Sequence, residues 1–108
     1  MHPMTFRFFF SPDIKKKIVL MLAANLGREG PFVMNALVSV AVTSAAEQRF
    51  PNDVCQRYYY CLTTWCQMKG KEAKLEDLKR VLEYNYRRDL VDLIDQIDAI
   101  EQGYETAP

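Results

Sequence analysis

Histidine is almost missing from this chain of 108 residues: the one copy is His2. With no second imidazole, none of its thiols has a base partner for nucleophilic catalysis. Glycine is scarce as well. Gly27, Gly30, Gly70 and Gly103 make no phosphate-cradling loop, and "GREGP" has neither P-loop nor dinucleotide spacing. The cysteines are Cys55, Cys61 and Cys66, an odd count without a CxxC pair. That fits neither a disulfide framework nor a zinc site. On one helix Cys55 and Cys66 would share a face about 16 Å apart, too far to bridge. They are expected to be reduced thiols packed as small apolar groups in a cytoplasmic protein.

Net charge is absent: 14 basic residues balance 14 acidic ones. A dedicated binder of nucleic acid or anionic membrane carries a basic excess, so both partner classes are disfavoured. No apolar run reaches the ~20 residues that span a bilayer; "PFVMNALVSVAVTSAA" is shorter and broken by polar residues. The opening "MHPMTFRFFF" lacks the basic and apolar regions of a secretory signal. Carboxylates crowd the last helix, but on a face predicted to be solvated, where nothing separates their pKa values for acid–base work. Three consecutive tyrosines, Tyr58 to Tyr60, point three ways on a helix and make a poor stacking platform for single strands. These absences predict no enzyme, no metal, no cofactor and no small-molecule substrate.

What is present is helical periodicity. Ser11-Pro12-Asp13 reads as a helix start, and Ile14, Ile18, Leu22 and Leu26 form a stripe that Gly27 stops. Leu20, Ala23 and Ala24 lie off it, which predicts a central helix with several neighbours. Two short helices are expected over 31–41 and 44–50, the second capped by Thr43 or Ser44 with Glu47 completing a capping box. Pro51-Asn52-Asp53 opens the next, where Val54, Tyr58, Cys61, Leu62 and Trp65 recur at helical spacing and Gly70 supplies the stop. Leu75, Leu78, Val81 and Leu82 mark a fifth helix. Leu90, Leu93, Ile94, Ile97 and Ile100 mark a sixth over 88–101, with Asp89, Asp92, Asp95 and Asp98 opposite them. The expected architecture is all-α, one antiparallel six-helix bundle over 12–102. An arm (1–11) carrying Phe6, Phe8, Phe9 and Phe10 should fold over it, and 103–108 forms a tail.

The order "FPND", "YYYCLTTW", "CQMK", "GKEA", "LEDLKRVL", "NYRRD", "LVDLI" closely resembles the second half of a death domain, as does "LAANLG" at the end of helix 1. The resemblance spans roughly 14–94 and is strongest over 51–94; sister families of the superfold match less well. It implies a Greek-key bundle with Trp65, Gly70, Leu78, Leu82, Leu90 and Ile94 as structural positions. It implies a non-enzymatic, homotypic interaction module or adaptor of apoptotic or innate immune signalling, whose partners are itself or other death-domain proteins. The chain departs from the pattern at Lys74, where a threonine commonly caps helix 5. Phe32 stands where a tryptophan is usual, no Leu-Gly ends the second helix, and the segment before Pro51 is about three residues short.

In such domains one contact class joins the corner after helix 4 to the helix 5–6 corner. Carried over, it pairs Lys69, Lys71 and Glu72 with Arg87, Arg88 and Asp89. A second class makes Lys15, Lys16, Lys17 and Arg57 candidates. The charge distribution suits opposite-signed surfaces: up to Gly30 five basic residues stand against two acidic (+3), and from Glu72 onward five against ten (−5). A decoy that caps such assemblies, a domain of a larger receptor or scaffold, and a small helical nucleic-acid binder are the alternatives.

Overall fold

The computed structural model describes residues 13–103. The aromatic arm, the Ser11-Pro12 start signal and residues 104–108 of the tail lie outside the described residues. Among those described, every regular element is helical: α1 (Lys16–Asn25), α2 (Gly30–Leu37), α3 (Val40–Arg49), α4 (Val54–Lys69), α5 (Leu75–Tyr84) and α6 (Arg88–Glu101). Short 3₁₀ turns, Gly27–Glu29 and Gly70–Glu72, lead into α2 and α5. The six helices make one bundle around one core.

The apolar stripes become that core. Ile14, Ile18, Leu22 and Leu26 are fully buried, and α4 adds Tyr58, Cys61, Leu62 and Trp65. Leu78 and Leu82 of α5 meet it, with Leu90 and Ile94 of α6. Each such side chain contributes about 1.5–3 kcal/mol relative to exposure. The hub is α4, which packs on α1, α2 and α3, while α1 rests on α4 and α6. Leu20 and Ala24 are exposed, so α1 is less enclosed than its composition suggests. Ile100 ends its stripe in solvent.

Caps account for most departures from the expected boundaries. At α4 the reading holds: Asp53 Oδ1 accepts from the Gln56 amide at 3.0 Å. At α1 it does not. Helix begins only at Lys16, after an extended Lys15. Asp13 does not serve α1 at all; its Oδ2 accepts the backbone N–H of Leu75, the first residue of α5. A carboxylate there satisfies an orphan donor and meets the positive end of the α5 dipole. Asp13 therefore supplies from 62 residues upstream the cap that Lys74 cannot.

The α2–α3 boundary falls earlier than expected. Val38, extended at ψ 165°, ends α2 and buries its side chain, and Ser39 precedes α3. Thr43 and Ser44 therefore lie inside α3; Thr43 Oγ1 donates to the Val40 carbonyl, and no capping box forms. The strand-like "LVSVAV" is this break, with one valine in the core and Val40 in solvent. Phe32 is exposed, so the position where relatives of the resembled family carry tryptophan is not a core position here.

Candidate interaction surface

Two long-range polar contacts hold α1 at both ends. At its start Asp13 seats the Lys15–Lys16 segment against the α4–α5 corner. At its finish stands Arg87. Its Nη1 donates to the Leu26 carbonyl at 2.5 Å and to Glu29 Oε1 at 3.3 Å, and its Nη2 donates to the Asn25 carbonyl at 3.0 Å. Nε and Nη2 complete a fork on Asp89, both at 3.0 Å. A guanidinium has five N–H groups, and five acceptors inside the fold take them. The carbonyls that α1 leaves unpaired at its C-terminus are thereby capped. The next one, of Gly27, accepts from the Tyr58 hydroxyl at 2.9 Å. The Arg-x-Asp corner thus has a structural purpose: Asp89 orients Arg87, and Arg87 fastens the α5–α6 corner to α1.

The electrostatics follow. The hydrogen bond to Asp89 raises the Arg87 pKa, and the same bond holds the Asp89 carboxyl below its ordinary value. Lys17 does likewise for Glu101. Burial raises the Tyr58 hydroxyl.

Of the ten residues expected to meet partners, eight are exposed: Lys15, Lys16, Lys17, Lys69, Lys71, Glu72, Arg88 and Asp89. Arg87, with a side chain 16% exposed, is a clamp rather than a rim charge. Arg57 is half-buried, its Nη2 donating to the Pro51 carbonyl. Lys17 pairs with Glu101, and Arg88 with Glu83 and Asp92. Lys15, Lys16, Lys69 and Lys71 form no ion pair with a described residue.

The α4–α5 corner therefore collects Lys69, Lys71 and Lys74 with Lys15 and Lys16, against Asp13 and Glu72; Glu76 and Asp77 follow on α5. The α5–α6 corner at the far end of α1 holds Arg87 and Arg88 against Glu29, Glu83, Asp89 and Asp92. Ten residues of helix, about 15 Å, separate the two.

Sequence patterns missed a feature of the second corner. Tyr86 has φ 61°, a conformation glycine adopts at no steric cost. Its N–H donates to the Glu83 carbonyl and that of Arg87 to the Leu82 carbonyl, the paired bonds of a Schellman ending to α5. Tyr86 and Tyr84 are 93% and 83% exposed. Only the "NYRR" following a helix hinted at a left-handed stop, and it lacks the usual glycine.

The other tyrosines belong to packing. Tyr60 lies 6.2 Å from the Phe50 ring and under the Arg49 guanidinium, and Tyr59 is half-buried. Cys61 and Cys66 are buried, whereas Cys55 is exposed, which corrects the expectation that all three pack inside. Burial, with Glu47 nearby, pushes the Cys61 thiol up to about 11, so it is protonated at neutral pH. A thiol reagent at pH 8 should label one cysteine fast and two slowly, and Cys55→Ser should remove the fast phase. Release of the reagent chromophore over time measures this.

Among the described residues no group of three or more His, Cys, Asp or Glu could hold a metal ion, and no helix is long and apolar enough to cross a membrane. No protein-family model, no curated protein and no solved structure matches this chain.

Proposed function

We propose that the chain is a non-enzymatic, death-domain-like interaction module of the cytoplasm that assembles head to tail, its basic α4–α5 corner docking on the acidic α5–α6 corner of the next copy or of a related domain. The observation that supports it is the placement of these oppositely charged corners at the two ends of α1, each anchored there by a partly buried polar contact. Patches at opposite ends of one body make a heterologous contact that does not close on itself and can extend into stacks. Unpaired lysines at one corner lose little of their own pairing on binding, and complementary charge raises encounter rate and selects partners.

Affinity needs a packed centre, and Tyr84 with Tyr86 supplies aromatic area of the kind that anchors interfaces. A tyrosine in the left-handed region costs about 1–2 kcal/mol, and with 93% of it exposed the fold gains almost nothing in return. Tyr86→Gly should raise stability by up to about 1 kcal/mol in urea unfolding while weakening association, the two readouts moving in opposite senses.

The test is a charge swap read by light scattering across concentration and salt. Native protein should self-associate at low salt and dissociate as salt rises. Lys69→Glu with Lys71→Glu should be monomeric, as should Glu83→Lys with Asp92→Lys, and an equimolar mixture of the two should form a one-to-one complex. A native protein that stays monomeric at low salt, or a mixture that stays monomeric, refutes the docking of one copy on the next.

A further inference from the structure

We propose that the cleft enclosed by α2, α3 and α4 is a binding site for a small amphipathic monocarboxylate, with Arg57 as the residue that receives its carboxylate. The cleft has a volume of about 580 Å³, within the range of small-molecule sites. Pro31, Met34, Ala46, Val54, Tyr58 and Cys61 make its apolar walls. Arg28, Arg57 and Glu47 bring charge to it, with Asn35 and Thr43 beside them.

The pointer is an unmet donor. Arg57 Nε is buried and has no hydrogen-bond partner among the described residues, where the guanidinium is otherwise held only by the 3.3 Å bond from Nη2 to the Pro51 carbonyl. Glu47 lines the same cleft, yet no ion pair joins it to Arg57. A buried donor without an acceptor is costly, and native structures leave few of them. The arginine fork matches the geometry of a carboxylate, and a turn of the side chain that brought Nε to the cleft surface would give it the acceptor it lacks.

Two arginines against one glutamate leave the cleft net positive by a single charge. That favours a single negative charge: the excess positive charge is matched by one, and a dianion would meet the repulsion of Glu47 twice over. The apolar walls take the body of the molecule. Nothing here depends on the corner contacts, since the lining comes from α2, α3, α4 and the turns that flank them.

The experiment follows backbone amide shifts of the native chain by NMR during titration with octanoate, 1-octanol and octylamine. Octanoate should produce saturable shifts centred on Met34, Ala46 and Cys61 and bind about tenfold more tightly than octanol, with octylamine weakest. Arg57→Met, which keeps the length of the side chain and removes the donors, should reduce octanoate binding to the level of octanol. Equal binding of acid and alcohol by the native chain, shifts that map elsewhere, or no saturation with octanoate overturns the proposal. That comparison needs no variant, so it stands even if Arg57→Met folds poorly.

Discussion

Replacing Arg87 with alanine should lower the free energy of unfolding by about 2–4 kcal/mol, whereas Arg88→Ala should change it by less than about 0.5 kcal/mol. The two arginines are neighbours in the chain and carry the same charge. Arg88 pairs with Glu83 and Asp92 directly but at the surface, its own side chain 71% exposed. Exposed pairs of that kind exchange hydration for attraction at little net gain. Arg87 is largely enclosed, with 16% of its side chain exposed, and removing it leaves the carbonyls of Asn25 and Leu26 uncapped and Asp89 without its partner. Against the roughly 5–15 kcal/mol by which domains are ordinarily stable, the loss is large. Urea unfolding of both variants measures the contrast.

Arg87→Lys should recover only a small part of the loss. An ammonium is a point charge and cannot bridge two carbonyls and a carboxylate at once. The same clamp predicts the sign of the acid response. Asp89 is held below its ordinary pKa, so its contribution is present above the usual carboxylate range and is lost as pH falls through the lowered value. Arg87→Ala should flatten that part of the pH profile. Charge reversal at Arg87 is consequently a folding experiment, and association must be probed at Lys69, Lys71, Glu83 and Asp92.

The core was readable in the sequence because helical burial writes itself at three- and four-residue spacing. Ile18, Leu22, Leu62, Trp65, Leu78, Leu82, Leu90 and Ile94 were marked that way, and all are buried. The start of α4 was readable at Pro51-Asn52-Asp53, where Asp53 takes the Gln56 amide, whereas the local capping box expected at Thr43 or Ser44 did not form. What spacing cannot carry is a contact between distant segments. Asp13 looked like a first-turn acid of its own helix and instead caps another; Arg87 looked like a rim charge and instead closes α1. The break at Val38 was hidden for a related reason. Valine alternation suggests a strand, and only the pull of a neighbouring core turns one of those valines inward while the chain bends. Of the candidate surface, the charges were legible and their grouping was not, because two sets of non-local hydrogen bonds, those of Asp13 and of Arg87, decide which corner lies at which end of α1.

Gly30→Ala should destabilise the fold by about 3 kcal/mol, against the sign that helix propensity alone demands. Gly30 is the first residue of α2 with ordinary helical dihedrals, and alanine in a helix is normally favoured over glycine by about 1 kcal/mol. A Cβ at this position, however, would lie 2.1 Å from Tyr58 Cζ and 2.3 Å from its hydroxyl oxygen. The ring cannot withdraw freely. It is a buried member of α4, and its hydroxyl is fixed on the Gly27 carbonyl. Either the ring leaves its site and forfeits that bond, or α2 moves off α4; both disturb packing at native density. A double-mutant cycle separates this clash from a general intolerance of alanine. Tyr58→Ala alone should cost about 3–5 kcal/mol through the cavity it opens. Adding Gly30→Ala to it should cost nothing further and recover part of the helix propensity, giving a coupling energy of about 3–4 kcal/mol between the two sites. Tyr58→Phe supplies the complementary reading. It removes the hydroxyl and its bond for about 1 kcal/mol while leaving the ring, so Gly30→Ala should remain strongly destabilising in that background. Additive losses in the alanine cycle would mean that glycine at position 30 serves the backbone and not the approach of α4. The seam between α2 and α4 would then owe its closeness to something other than the missing side chain.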